Sequence, residues 1–207
     1  MFLDEMPEFS RRSLEILRQP LEDKVIRISR VYGTYDFPAD FMLCAAMNPC
    51  PCGHYPDMNR CRCTPAQVMQ YLGRISQPLL DRLDLCAEVS PVDFEGLSSG
   101  RKGESTQTIR ERVICAQDIQ RERYKIEGIQ FNGELSGAQI EKYCKMEKDA
   151  RQLLKMAFQN MPFSARAYHR ILKVARTIAD MEATESIHRH HIAEALSYRA
   201  FDKKYWN

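Results

Sequence analysis

The chain has 207 residues, 44% hydrophobic and 28% charged, with a formal net charge of +2. That length allows one or two domains with a real core, and so mild a charge does not by itself argue for nucleic acid. No apolar run approaches the ~18 residues a membrane helix needs and no signal peptide is visible, which points to a cytoplasmic protein.

The chain opens "MFLDEMPEF", an apolar run closed by Asp4-Glu5. This reads as the end of a buried strand that delivers two carboxylates to a site. Three residues are short for a sheet strand, so the upstream half of the element is expected in preceding sequence. "FSRRSLEILRQPLED" predicts a helix with Phe9, Leu14, Ile16 and Leu17 apolar and Pro20 ending it. "KVIRISR" and "TYDFPADF", separated at Tyr32-Gly33, predict a hairpin with Gly33 free to take a positive φ. "FMLCAAMN" predicts a central buried strand ending at Asn48, and "LDLCAEV" a further strand.

After the Gly- and Ser-rich stretch "FEGLSSGRKGES" the pattern becomes helical. Ser105 can cap a helix with Ile109, Val113 and Ala116 on one face, and Gly128 and Gly133 break it. "SGAQIEKYC" and "EKDARQLLKMAFQNM" predict two shorter helices. "SARAYHRILKVARTIADMEA" predicts a long one, capped by Ser164, with Ile171, Ala175, Ile178 and Ala179 as its apolar stripe. "HRHHIAEALSYR" closes the chain's helical part. The expected architecture is α/β over residues 1–104 and all-α over residues 105–207.

Four features can carry chemistry. A carboxylate pair at a strand end suits an ATPase, one acid holding Mg²⁺ through water and the other polarising the attacking water. It equally suits the acidic entry to a helix. Asn48, at the end of the next apolar strand, would sit beside Asp4-Glu5 in a parallel sheet. There it can orient a water or touch a phosphate, although Asn before Pro49 is also a common turn former. Arg82, between Asp81 and Asp84, can reach a phosphate on a neighbouring subunit or simply form a local ion pair. Arg166 in the first turn of the long helix can clasp a phosphate.

The cluster "CPCGHYPDMNRCRC" holds Cys50, Cys52, Cys61 and Cys63, half of the eight cysteines. Two C-x-C pairs with Pro51 and Gly53 turning the chain offer four thiolates to one structural Zn²⁺, with His54 a possible substitute ligand. The alternative is a set of reduced thiols. Arg60 and Arg62 would project from the loop. Cys44, Cys86, Cys115 and Cys144 stand apart and read as packing residues. His188, His190 and His191 are spaced i, i+2, i+3, which does not bring all three to one helix face; they read as a polar helix start.

In order along the chain, "FLDEMPEFSRRSLEILRQPLED", "AAMNPCPCG", "LLDRLDL" and "SARAYHRILKVARTIADME" resemble the Mg-chelatase-like AAA+ ATPases of the competence protein ComM/YifB type. The resemblance implies a truncated AAA+ (P-loop NTPase) core followed by a helical lid. It implies Asp4 as the Mg²⁺-linked acid and Glu5 as the catalytic carboxylate of a Walker B strand. Asn48 takes the sensor-1 place, Arg82 that of an arginine finger and Arg166 that of sensor 2. The Lys24–Phe41 hairpin resembles the insertion before sensor 1, whose Arg27 and Arg30 could follow a phosphate backbone through a pore or form its solvated face. ATP with Mg²⁺ is the implied cofactor, a hexameric ring the implied assembly, and DNA the implied partner, for branch migration or uptake. No G-x-x-x-x-G-K-[ST] occurs in the 207 residues, so the Walker A cradle is absent from this sequence. The alternative from a different class is a zinc-stabilised binding module whose ATPase motifs serve assembly. Chelation into a tetrapyrrole has no porphyrin site among these residues.

Overall fold

The computed structural model describes residues 1–90, 94, 98, 103–161 and 163–199. By internal contacts the chain forms two compact units, Met1–Leu83 and Asp84–Ala200. Most of the Gly- and Ser-rich stretch near residue 100 lies outside the described residues.

In the first unit, β1 (Phe2–Leu3) pairs in parallel with β4 (Cys44–Ala45), Phe2 opposite Cys44 and Leu3 opposite Ala45. Flanking bonds extend the register: Cys44 N–H to Met1 O at 2.9 Å, Ala46 N–H to Leu3 O at 2.9 Å and Met6 N–H to Ala46 O at 3.0 Å. The expectation of a long buried strand through "FMLCAAMN" is corrected. Only Cys44 and Ala45 join the ladder, and they and Ala46 are exposed, because a two-stranded sheet leaves its faces uncovered.

The predicted early helix is two, α1 (Arg11–Ile16) and α2 (Arg18–Asp23). Ser10 caps α1, its Oγ accepting the Ser13 N–H at 3.1 Å. Pro20 does not end the helix as expected. It is the third residue of α2, where a backbone N–H has no intrahelical acceptor, so proline costs nothing there. Leu14 is buried with Met6, Ile75, Leu79 and Leu80, whereas Phe9 and Ile16 face solvent.

The hairpin forms as predicted, β2 (Val25–Arg30) against β3 (Gly33–Pro38), joined through Val31 and Tyr32. Gly33 has φ 159° and pairs with Arg30. Opposite residues share a face, so Ile26, Ile28, Tyr35 and Phe37 line one side while Arg27 faces Asp36 on the other. Arg27 forks onto Asp36 with Nε at 2.8 Å and Nη2 at 2.9 Å.

α3 (Pro65–Leu72) starts in a capping box: Thr64 N–H donates to Gln67 Oε1 at 2.8 Å and Thr64 Oγ1 accepts the Gln67 N–H at 3.3 Å. Its Val68, Tyr71 and Leu72 pack on Cys50, and α4 (Gln77–Leu80) completes the Leu14 core. Met47 packs against both cores. "LDLCAEV" is not a strand. It has no ladder partner among the described residues, and Leu85 and Val89 are exposed.

The second unit is helical: α5 (Thr106–Tyr124), α6 (Gly137–Tyr143), α7 (Lys148–Asn160), α8 (Ala165–Met181) and α9 (Arg189–Ser197). Ser105 and Ser164 cap α5 and α8, accepting the Thr108 N–H at 3.1 Å and the Ala167 N–H at 3.2 Å. Ile171, Ala175 and Ala179 of α8 sit in the core with Leu154, Ile187 and Ile192, as the predicted stripe requires, and Ile178 packs at its edge. The α5 stripe is corrected in its first half: Ile109 and Val113 are 43% and 42% exposed, and only Ala116 is buried. Of the four isolated cysteines only Cys144 is a buried packing residue. Cys44 and Cys115 are exposed and Cys86 is half-buried.

A buried polar network ties this core together. Asp180, 1% exposed, accepts from Arg123, from Asn132 Nδ2 at 2.8 Å and from Arg176 Nε at 3.1 Å. Arg176, fully buried, also donates to the carbonyls of Thr184 and Glu185, both at 2.5 Å. Two guanidiniums around one carboxylate are tolerated here because each remaining proton finds an oxygen.

Candidate functional site

Because β1 and β4 run parallel in register, their C-terminal ends open on the same side. Asp4-Glu5 follows directly on β1, and Asn48 comes three residues after β4. Asp4 and Glu5 form a turn in which Asp4 Oδ1 accepts the Glu5 N–H at 3.0 Å. Glu5 is left-handed, φ 49° and ψ 47°, a conformation that disfavours a residue with a Cβ and is concentrated at functional sites. Both carboxylates are exposed, and among the described residues no ion pair engages either. Such an acidic turn can accept a hydrated divalent cation.

Asn48 is exposed and lies between the two cores of this unit, next to Met47 which packs on both. Arg82 is elsewhere. It sits in a hollow of about 470 Å³ lined by Glu15, Arg18, Gln19, Glu22 and Asp23, and none of Asp4, Glu5 or Asn48 lines that hollow. Its side chain is 8% exposed, with Nε on Arg18 O at 3.1 Å, Nη1 on Pro78 O at 2.7 Å and Nη2 on Glu22. The partner is therefore Glu22 rather than Asp81 or Asp84. Arg166 belongs to the second unit, exposed at the second position of α8. One turn further on, Arg170 pairs with Asp84.

The four clustered cysteines converge. Cys50 Sγ stands 3.4 Å from Cys52 Sγ and 3.8 Å from Cys61 Sγ, with Cys52 and Cys61 3.5 Å apart. All four sulfurs, Cys63 included, lie within 4.8 Å of one another. Four sulfurs at about 2.3 Å from a tetrahedral Zn²⁺ stand about 3.8 Å apart, so the donor set and spacing fit that ion. Main-chain N–H groups of His54 and Arg62 point at Cys52 and bring its thiol down to about 6. Cys61 goes the other way, to about 12: the Cys63 N–H lowers it, but burial and the neighbouring Cys52 and Cys50 outweigh that. His54 contributes its main chain and not its ring to this cluster. Arg60 and Arg62 are exposed on the loop.

A second convergence, Glu182 with His190 and His191, is a helix start. His191 Nδ1 accepts the His188 N–H at 2.9 Å, which puts its proton on Nε2, bonded to Glu182 at 2.9 Å. A protonated Nε2 has no lone pair for a metal. His190 Nε2 reaches the same Glu182 oxygen at 2.9 Å, and these bonds hold the Glu182 carboxyl below its ordinary value.

The sequence reading passed over Tyr71, Arg74 and Glu22. Tyr71 and Arg74 lie one turn apart at the end of α3, and only the i, i+3, i+4 apolar spacing of Val68, Tyr71 and Leu72 signals that this helix faces Cys50.

Two family descriptions match the chain end to end: "Magnesium chelatase, subunit ChlI" over residues 1–97 and "Magnesium chelatase, subunit ChlI C-terminal" over residues 103–199. The chain belongs to this magnesium-chelatase-like family, which implies an AAA+-type fold. It is 46% identical over 205 residues to the uncharacterized protein YifB of Salmonella typhimurium, covering 98% of this chain and 39% of that protein. It is 46% identical over 201 residues to the competence protein ComM of Haemophilus influenzae, covering 97% and 38% respectively. The Escherichia coli protein YifB is 43% identical over 205 residues, 98% and 39%. The chain thus spans about two-fifths of the length of these curated relatives. Among the described residues no helix is long and apolar enough to cross a membrane.

Proposed function

We propose that this chain is the C-terminal half of a Mg-chelatase-like AAA+ ATPase, supplying the acids, sensors and arginine finger of a nucleotide site whose phosphate cradle lies outside these 207 residues. The observation that carries the reading is the parallel β1–β4 register, which turns Asp4-Glu5 and Asn48 to one side. Asp4 would hold magnesium through water, Glu5 would polarise the attacking water, and Asn48 would orient it. Arg82 would act on a phosphate bound by the neighbouring subunit of a hexameric ring, and Arg166 would touch the nucleotide from the lid. ATP with Mg²⁺ supplies the driving reaction, and the competence name of one relative favours DNA remodelling in the cytoplasm as its use. The zinc, held by Cys50, Cys52, Cys61 and Cys63, is structural, because four protein ligands leave no open position.

The test is ATP hydrolysis by the full-length protein, with and without DNA, beside Glu5→Gln. DNA-stimulated turnover that Glu5→Gln abolishes is expected. Absence of turnover under every condition overturns the reading. The convergent thiols would then favour the second reading, a zinc-stabilised module whose nucleotide motifs serve assembly only.

A further inference from the structure

Asn48 is held from both sides by groups that its own strand does not supply. On one side its amide lies over Gly53: a Cβ built on that glycine would stand 3.9 Å from both the amide carbon and Oδ1. Gly53 has φ 78°, a left-handed position where a side chain is disfavoured, and its N–H closes a turn on Cys50 O at 3.0 Å. It follows Cys52 directly, so its place is set by the thiol cluster. On the other side stands Tyr71, 6% exposed, whose hydroxyl faces the Asn48 main-chain N–H. Burial and the charges of Glu8 and Glu5 hold the Tyr71 phenol above its ordinary value, which places it close to the acidic turn as well.

The same helix grips the segment that follows the acids. Arg74 donates from Nη1 to Pro7 O at 3.0 Å and pairs with Glu8 at 3.2 Å. Tyr71 also packs in one core with Cys50, Cys52, Cys61 and Cys63. The thiol loop, α3, Asn48 and the acid turn therefore form one mechanically continuous block within the first unit.

We propose that the Cys50, Cys52, Cys61 and Cys63 loop, closed by zinc, is the platform that positions Asn48, with Gly53 and Tyr71 as positioning residues that couple metal occupancy to turnover. The inference rests on the ATPase reading above and adds to it a dependence on a metal that touches no nucleotide. With the loop closed, Gly53 offers a flat, fixed surface to the Asn48 amide, and Tyr71 fixes the main chain beneath it. With the loop open, the amide keeps its chemistry and loses its aim, and a misplacement of about 1 Å at a reacting group can cost about a hundredfold in rate.

The experiment measures ATP hydrolysis and bound zinc in the full-length protein, for wild type, Glu5→Gln, Gly53→Ala and Tyr71→Phe. Gly53→Ala is expected to lower kcat by about ten- to a hundredfold with KM for ATP nearly unchanged and one zinc per chain retained. Tyr71→Phe is expected to do the same more mildly, and it guards against a misfolded Gly53→Ala protein. If wild type turns over, Glu5→Gln abolishes it, and both positioning variants run at the wild-type rate, this inference falls and the ATPase reading stands. Zinc lost in step with kcat in both variants overturns it too, since a merely structural loop behaves that way. No turnover in wild type overturns the ATPase reading and the inference with it.

Discussion

The Arg82 guanidinium is bonded to the Glu22 carboxylate of its own unit, across the hollow between α2 and the segment after α4. Its other two donors are on the carbonyls of Arg18 and Pro78, so the side chain is fully engaged within the chain. An arginine finger must give up at least part of this set to reach a neighbour's phosphate. Glu22→Gln removes the charge and keeps the size. It is expected to raise ATP turnover of the assembled protein by up to about fivefold, the factor of a ~1 kcal/mol pair. Steady-state hydrolysis checks it: a fall instead of a rise would make Glu22 an orienting partner and not a restraint.

Zinc removal gives a second outcome. Cys61→Ser breaks a four-sulfur set in which the other members already stand 3.4 to 3.8 Å from one another. It is expected to lose zinc affinity by more than about a hundredfold, while Cys44→Ser, exposed and outside the cluster, keeps one zinc per chain. Elemental analysis of reduced protein, with cobalt absorption as a report of tetrahedral sulfur ligation, decides between them. Equal zinc in both variants would remove Cys61 from the ligand set.

Asp180 is the keystone of the helical unit. It is fully buried between Arg123 and Arg176, and Asn132 donates to it as well. Asp180→Asn leaves Arg176, itself 0% exposed, without its carboxylate. Breaking a buried pair from one side costs about 3–5 kcal/mol. Denaturant unfolding should show a lower midpoint with little change in slope; a shift under about 1 kcal/mol would mean the carbonyls of Thr184 and Glu185 suffice for Arg176.

How much of this was legible in the residues differs by element, for identifiable reasons. Helices α6 to α9 follow their caps and their 3.6-residue stripe, because their partners are close in the chain and each apolar face meets another. The hairpin is equally local, with two residues between its strands. "FMLCAAMN" and "LDLCAEV" have strand-like composition, but a strand is completed by its neighbours, and composition does not say whether neighbours are at hand. Pro20 was misread because a proline ends one helix and begins another with the same residue type. At the site, the Asp4-Glu5 and Asn48 relation was readable from two strand ends. Tyr71, Gly53 and Glu22 were not, since each matters through a contact made far along the chain or across a turn.

The last prediction concerns pH. Glu127 accepts from Lys142 Nζ at 2.6 Å, Tyr143 Oη at 2.7 Å and Gln139 Nε2 at 3.1 Å, tying the turn after α5 to α6. These bonds, Lys142 first, lower its carboxyl to about 2 from an ordinary 4.5. A depressed carboxyl stabilises the fold above its unfolded value, and that contribution disappears as pH falls through the folded value. The stability difference between wild type and Glu127→Gln should therefore be complete at pH 7, begin to shrink below about 4.5 and vanish near pH 2. Thermal unfolding of both proteins across that range reads it directly. A difference that persists undiminished at pH 2 would assign the contribution to the shape of the Gln139, Lys142 and Tyr143 contacts and not to the charge on Glu127.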